Sequence, residues 1–273
     1  MRGLFCILLC SCALGQDAIG DRARRYLIDL IKLDTTNPPG NETRVAQYLK
    51  QVASSSGIAC ETLGANPSRL NFIARLPAKI QTGKRPLLLI AHSDVVPADR
   101  SQWTVPPFAG LIRDNYLYGR GAQDDKSLLA AELAVLVELK QQGTNLKRDV
   151  ILLSEADEEA GSTGITWLIQ NAYSKIDAEF ALNEGGASLE PHSGQRVFQI
   201  QTSEKVPTRV VLIAKGTAGH GSLPRPDNAV VHLSRAIVHL ADADQPVVMN
   251  TTTRRYFREM AKLPDYEWLR PLV

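Results

Sequence analysis

Short apolar runs alternate along most of the chain with longer segments in which apolar residues recur at every third or fourth position. The runs at residues 86–91, 150–153 and 179–182 have the length and composition of strands that a sheet buries on both faces. Residues 124–142 and 163–173, which lie between these runs, have helical spacing. The alternation predicts an α/β fold in which helices flank a mostly parallel sheet.

The N-terminal part adds elements of the same kinds. Helices are predicted at residues 23–33 and 42–54, and the sequence Asn-Pro-Pro-Gly within residues 34–40 breaks the chain between them. Strands are predicted at residues 58–63 and 68–77.

The pattern changes after Glu184. Residues 196–201 and 208–215 alternate like strands of an antiparallel sheet, and residues 228–240 have the spacing of an amphipathic helix. We therefore expect a larger α/β domain over residues 16–204 and a smaller α+β domain that begins at residue 205. Since a small sheet needs about three strands to be stable alone, we also expect the sequence to stop, at residue 273, inside that second domain.

The first fifteen residues have the three parts of an export signal. Arg2 supplies the positive charge, residues 4–9 form a short apolar core, and Ala-Leu-Gly at residues 13–15 is a cleavage site of small residues. The core is far shorter than the about 20 residues that span a bilayer, so no membrane span is expected. Residues 1–15 therefore predict export to the periplasm or the extracellular space, and a lipoprotein acylated at Cys12 is the alternative.

Composition narrows the choice of partners. A net charge of +2 gives no reason to expect a nucleic acid or a membrane surface. Three of the four cysteines lie inside the predicted signal, and only Cys60 remains in the exported chain. No internal disulfide is therefore expected there.

Side chains that bind metal ions follow each of the three buried runs. His92 and Asp94 follow the first, an acidic segment at residues 155–159 follows the second, and Glu184 follows the third. Asp124, at the start of the longest predicted helix, is a fourth contribution. Ligands of open parallel sheets bind beyond the carboxyl ends of the strands, so we expect these side chains to meet. The sequence predicts a metal-dependent hydrolase.

Each of these features alone has an ordinary explanation as a surface loop, a helix cap or a solvated acidic face. However, four carboxylates crowded at one strand end repel one another unless a cation offsets their charge. The adjacent Glu158 and Glu159 also permit one carboxylate to bind metal while its neighbour takes a proton. His220 lies in a glycine-rich loop, where a structural or solvent-exposed imidazole is the alternative.

Taken together, the motifs resemble those of the dinuclear zinc hydrolases of the acetylornithine deacetylase, succinyl-diaminopimelate desuccinylase, aminoacylase and carboxypeptidase G family. The resemblance extends from about Tyr26 to Leu240. It depends on six short segments, namely His92-Ser93-Asp94-Val95-Val96-Pro97, Trp103 with Pro107-Phe108, Gly119-Arg120-Gly121 with Asp124 and Lys126, Asp157-Glu158-Glu159, Asn183-Glu184-Gly185-Gly186, and Gly219-His220-Gly221-Ser222.

The resemblance implies a zinc-exopeptidase-like fold that binds two Zn²⁺ ions, with Co²⁺ or Mn²⁺ as possible substitutes. His92 and Glu184 would hold the first ion, Glu159 would hold the second, and Asp124 would bridge both. The peptide bond after the bridging aspartate is commonly cis in this family. The second domain would act as a lid and as the contact of a homodimer.

The same resemblance implies a mechanism for cleaving the amide bond of a small peptide or an N-acyl amino acid. Glu158 would be the general base for a metal-bridged water, Asp94 would orient His92, and His220 would polarise the substrate carbonyl. A last histidine ligand, which the family supplies from a C-terminal segment, has no counterpart here. We therefore expect one ion to bind well, the second to bind poorly, and turnover to be slow or absent.

Two other classes of function are alternatives to this one. A metal-binding family member without catalysis would lack Glu158 or His220, and both are present. A dinuclear phosphoesterase would carry Gly-Asp and Gly-Asn-His sequences, which the chain does not contain in the corresponding places. The leading hypothesis is an exported zinc amidohydrolase of the carboxypeptidase or aminoacylase type.

Overall fold

The structure is a computed structural model, and it describes residues 14–204 and 208–273. Contacts within the chain divide it into two compact units, Met1–Glu184 and Gly185–Val273. Most of the predicted export signal, with Cys6, Cys10 and Cys12, lies outside the described residues. The predicted domain boundary at residue 204 stays a prediction.

The described residues form the following helices and strands. The helices are α1 (Leu14–Ile31), α2 (Thr43–Ser55), α3 (Lys126–Gln141), α4 (Thr163–Asn171), α5 (Ala229–Ala241) and α6 (Thr251–Met260). The strands are β1 (Ala59–Leu63), β2 (Asn71–Leu76), β3 (Leu87–His92), β4 (Leu111–Arg113), β5 (Tyr116–Tyr118), β6 (Val150–Glu155), β7 (Phe180–Leu182), β8 (Ser188–Leu189) and β9 (Val197–Phe198). Among the helices of residues 14–204 and 208–273, there is no candidate for a transmembrane span.

A five-stranded sheet of order β1-β2-β6-β3-β7 lies at the centre of the first unit. Strand β3 pairs in parallel with β6 and with β7, while β2 pairs antiparallel with β6 and with β1. Four strands therefore run in one direction and only β2 runs against them. The predicted α/β fold with a mostly parallel sheet flanked by helices is confirmed.

Successive residues of a buried strand pack into two different hydrophobic cores, one on each face of the sheet, because side chains alternate between the faces. Val150 and Leu152 pack in a cluster with residues of α1, α2 and α3 on one face. Ile151 and Leu153 pack with Leu168 of α4 on the other face. A run that is buried on both faces explains why residues 150–153 are apolar without interruption.

The second unit differs from its prediction. Residues 208–215 form no strand, and the predicted strand at 196–201 is reduced to β9, which pairs with β8. Val210, Val211 and Ile213 are each more than 70% exposed. Alternation of apolar and polar residues shows that a segment is suited to a sheet, but a strand also needs a neighbour for its backbone hydrogen bonds. The helix predicted at 228–240 is confirmed as α5, whereas α6 was not predicted.

Glu132, on the buried face of α3, gives a prediction about stability. It is only 7% exposed, and its Oε2 has no hydrogen-bond partner within the described residues. Burial and the nearby charge of Asp125 raise the pKa of Glu132 to about 8. Between its ordinary pKa of 4.5 and about 8, the unfolded chain releases this proton while the folded protein retains it, so folding stability falls as pH rises.

Glu132→Gln, which stays neutral at every pH, is therefore expected to stabilise the metal-free protein by about 3 kcal/mol at pH 7. Urea unfolding should show this gain shrinking as the pH falls toward 4.5. Glu138→Gln on the same helix is the control, because a hydrogen bond from Arg22 lowers the pKa of Glu138 and its replacement should weaken folding. A gain at Glu132 that does not change with pH would contradict the prediction.

Candidate metal centre

The carboxyl ends of β3, β6 and β7 lie side by side at one edge of the sheet. His92 is the last residue of β3 and is paired in register with Glu155, the last residue of β6. The main-chain nitrogen of Ser93 donates to the carbonyl oxygen of Glu155 at 3.0 Å, which holds the two strand ends together. Glu184 follows β7 by two residues. The parallel pairing therefore brings these side chains to one place, as their positions after the three apolar runs predicted.

Two loops add the remaining carboxylates. Asp157, two residues after the end of β6, has a positive φ of 68° and turns the chain so that Glu158 and Glu159 follow at the edge of the sheet. Asp124 lies just before α3, and the peptide bond Asp124-Asp125 is cis, as the resemblance implied.

His92 is buried at the middle of this arrangement and uses its two ring nitrogens differently. Its Nδ1 lies 3.0 Å from the main-chain oxygen of Asp94, and since that oxygen can only accept, Nδ1 donates. Its Nε2 lies 2.8 Å from Asp124 Oδ1 and 3.9 Å from Glu184 Oε1. The nitrogen that faces the carboxylates is therefore the one that can bind a metal ion.

The ligand atoms fall into two groups that share His92. In one group, His92 is joined by Glu158 and Glu184, and in the other by Asp124 and Glu159. Within each group, the ligand atoms all lie within 4.8 Å of one another. The structure thus brings every predicted ligand into a group with His92, and it also places Glu158, the predicted base, in the group with His92 and Glu184.

Asp94 is fully buried and contacts both sides of the centre. Its Oδ1 accepts a hydrogen bond from the main-chain nitrogen of Glu158 at 3.1 Å, and its Oδ2 accepts one from that of Glu159 at 3.2 Å. Its Oδ1 is also 3.5 Å from Nδ1 of His92. Burial alone would raise the pKa of Asp94, but His92 and the hydrogen bonds to the carboxylate hold it below its usual value. Asp94 therefore remains a carboxylate that positions His92, Glu158 and Glu159 together.

The centre has an excess of negative charge. Burial alone would lower the pKa of His92, yet hydrogen bonds to Asp94 and Asp124 and the charge of Glu184 outweigh burial and raise this pKa to about 10. Burial, together with neighbouring carboxylates, raises the pKa values of Asp125 and Glu155 to about 7. One buried oxygen of each of these two residues has no hydrogen-bond partner in the described part of the chain. The crowded carboxylates and their two unpaired buried oxygens indicate a site suited to a cation.

The donor set fits a divalent metal ion. In catalytic sites, zinc is coordinated by imidazole nitrogen and carboxylate oxygen, and cobalt and manganese bind to the same donors. Nε2 of His92 would bind the ion, and the hydrogen bond from Nδ1 to the main-chain oxygen of Asp94 fixes the orientation of the ring. This is the usual arrangement of a metal-ligating histidine.

His220 belongs to the second unit. It is exposed, and its Nδ1 accepts a hydrogen bond from the main-chain nitrogen of Ser222 at 3.3 Å. Its other ring nitrogen can then carry the proton and act as a donor. The predicted role of His220, to polarise the substrate carbonyl, stays a proposal.

Two buried residues next to the centre had no predicted role, although both belong to segments that the sequence singled out. Lys126 is fully buried, and its Nζ donates to the carbonyl oxygens of Leu30 and Leu33 at 3.0 and 2.7 Å, which ties the end of α1 to the start of α3. Asn37 is also buried and contacts Asp94. A lysine at a helix start is usually a surface residue, and an asparagine before two prolines is usually part of a turn. The sequence therefore marked Lys126 only as part of the motif with Asp124 and Asn37 only as part of the break between two helices.

Known proteins with similar sequences agree with a hydrolase site of this kind. Residues 88–271 match the sequence model of peptidase family M20/M25/M40. The human N-fatty-acyl-amino acid synthase/hydrolase PM20D1 is 34% identical over 175 residues, which are 62% of this chain and 34% of that protein. A probable succinyl-diaminopimelate desuccinylase from Staphylococcus epidermidis is 33% identical over 201 residues, which are 73% of this chain and 46% of that protein.

A solved structure agrees with these matches. An M20 family metallo-carboxypeptidase from Sulfolobus solfataricus has a TM-score of 0.55 and 30% identity, covering 64% of this chain and 39% of that one. This chain therefore spans about a third to a half of the length of the proteins named here.

Proposed function

The chain belongs to peptidase family M20/M25/M40, and we propose that it takes part in zinc-dependent hydrolysis of the amide bond of a small peptide or an N-acyl amino acid. The observation that carries this proposal is the pair of donor groups that share His92 at the carboxyl ends of the strands. The named relatives include hydrolases of N-fatty-acyl amino acids and of succinyl-diaminopimelate.

Four side chains would hold two metal ions in this proposal. His92 and Glu184 would bind the first ion, Glu159 the second, and Asp124, which lies next to Nε2 of His92, would contact both. When bound, such ions lower the pKa of a water molecule to about 7 and polarise the carbonyl of the scissile amide.

Glu158 would move the proton. It is exposed, whereas Glu159 is partly buried, and Asp94 fixes the main-chain nitrogens of both. A carboxylate that reaches the reacting water from this position can accept its proton during attack and return it to the departing nitrogen. His220 would donate a hydrogen bond to the oxygen on which negative charge develops.

We assign the substrate to a cavity beside Asp124. The cavity has a volume of about 600 Å³, and the residues that line it include Trp103, Leu117, Tyr118 and Arg120. The guanidinium of Arg120 lies over the ring of Trp103, 5.4 Å from its centre, and brings a positive charge next to an otherwise acidic centre. Because Arg pairs well with carboxylates, we propose that the cavity favours substrates with an apolar group and a free carboxylate.

An assay of the zinc-loaded protein tests this function. Dipeptides and N-acyl amino acids should be hydrolysed, and the same compounds with their carboxylate converted to an amide should react more slowly. The alternative, a family member that binds metal without catalysis, predicts zinc binding with no hydrolysis of either series. Equal rates for acids and amides would contradict the assignment of the cavity, while hydrolysis of neither series would contradict the proposed reaction.

A further inference from the structure

Asn37 is a buried side chain that bonds two carboxylates at once. It is 5% exposed, and its Nδ2 donates to Asp94 Oδ2 at 2.7 Å and to Asp157 Oδ1 at 2.8 Å. A side-chain amide nitrogen carries two N–H donors. Both of them are therefore used on acids that are themselves buried, since Asp94 is 0% and Asp157 is 3% exposed.

The position of Asn37 is fixed by its own backbone. Its main-chain nitrogen donates to the carbonyl oxygen of Val95 at 2.9 Å, and Thr36 forms a parallel bridge with Val95. The hydroxyl of Thr35 donates to the carbonyl oxygen of Ser93 at 2.6 Å. The segment before the two prolines therefore follows the loop after β3 closely, and the amide reaches the two acids from a rigid support.

The two acids control the parts of the chain that carry the site. Asp94 lies against His92 and accepts hydrogen bonds from the main-chain nitrogens of Glu158 and Glu159. Asp157 is the residue with positive φ that directly precedes Glu158. One amide thus joins the loop after β3 to the loop after β6.

The chemistry of the contact requires an amide. Two buried carboxylates that face each other repel, and a neutral group with two donors removes this conflict without adding a charge. Arg69 and Thr163 also donate to Asp157, but within the described residues the only side chain that joins Asp157 to Asp94 is Asn37.

We propose that Asn37 is a positioning residue for the metal centre, which sets the distance between His92 and the Glu158-Glu159 pair by clamping Asp94 to Asp157. The proposal rests on the proposed function, because it assumes that these side chains hold zinc. Residues that support a metal ligand from behind typically change metal affinity by about 10–100-fold when they are replaced.

Calorimetric titration of the metal-free protein with ZnCl₂ tests the proposal. Asn37→Ala should weaken the tighter zinc step by about 10–100-fold. Asn37→Ser has one hydroxyl proton and can serve one acid, so its loss should lie between wild type and Asn37→Ala. Asn71→Ala is the matched control, since Asn71 is also buried and also holds the loop after β6, through the main-chain nitrogen of Ala156, but its amide bonds neither Asp94 nor Asp157.

A second measurement separates positioning from a general loss of stability. Hydrogen exchange at the main-chain amides of Glu158 and Glu159 should be faster in the metal-free Asn37→Ser protein than in Asn71→Ala. This comparison also decides the question if Asn37→Ala does not fold.

The outcomes are distinct. Zinc affinity that is unchanged in the folded Asn37 variants, or an equal loss in Asn71→Ala, would overturn the positioning role alone. Equal exchange rates at Glu158 and Glu159 in the two variants would do the same. A wild-type protein that binds no zinc would overturn the proposed function itself.

Discussion

Glu158→Gln is expected to lower the turnover number for amide hydrolysis by about 10²–10⁴-fold, the usual contribution of a general base. The amide keeps the shape of the side chain and cannot accept the proton of the attacking water. The main-chain hydrogen bond from Glu158 to Asp94 does not involve the side chain, so the loop should stay in place. Zinc affinity should remain close to that of the wild type, and steady-state kinetics together with zinc titration measure both quantities.

Glu159→Gln is the matched control, because the two residues are neighbours and both main-chain nitrogens bond Asp94. The Glu159 variant should lose affinity for the second zinc ion, and added zinc should restore part of its activity. Since both glutamates lie in donor groups with His92, the comparison decides which one binds and which one moves the proton. Full activity in Glu158→Gln, or loss of zinc binding in that variant alone, would reverse the assignment.

His92→Ala is expected to remove the tighter of two unequal zinc-binding steps. Both donor groups contain His92, and no other histidine belongs to a donor group in the described residues. Because Nδ1 is already bonded to Asp94, only Nε2 is available, and it can bind one ion. Carboxylates alone must then hold the other ion, which should therefore bind more weakly.

Calorimetry of the wild type should show these two steps, and the first should weaken in His92→Ala by more than the roughly 10–100-fold typical of residues that merely support a ligand. His232→Ala is a suitable control, because His232 lies on α5 of the second unit and outside both donor groups. Two equally tight steps in the wild type would contradict the prediction, as would a first step that His92→Ala leaves unchanged.

The sequence was informative where a single physical rule connects pattern to position. Uninterrupted apolar runs occur when both faces of a strand are buried, and parallel strands bring their carboxyl ends to one edge. From these two rules His92, the acidic segment after β6 and Glu184 were expected to meet, and the structure places them together. The helix at 124–142 followed from its periodicity and forms α3 with slightly shorter bounds.

The sequence was uninformative where a role depends on a partner that is distant along the chain. Asn37 acts on Asp157, which is 120 positions away, and Lys126 acts on Leu30, which is 96 positions away. Neither residue type indicates such a contact. The strand predicted at residues 208–215 is absent for the same reason. Alternation of apolar and polar residues does not show whether a second strand lies beside the segment to pair with it. Export through residues 1–15 and a homodimer through the second domain stay predictions.

The central claim is that His92, Asp124 and Glu184 bind zinc at the carboxyl edge of the sheet, and anomalous diffraction at the zinc edge tests it most directly. Crystals grown with ZnCl₂ should show an anomalous peak about 2.0–2.2 Å from Nε2 of His92 and from carboxylate oxygens of Asp124 and Glu184. A second, weaker peak should lie near Glu159. A zinc peak bound elsewhere in the molecule, with none at His92, would contradict the account.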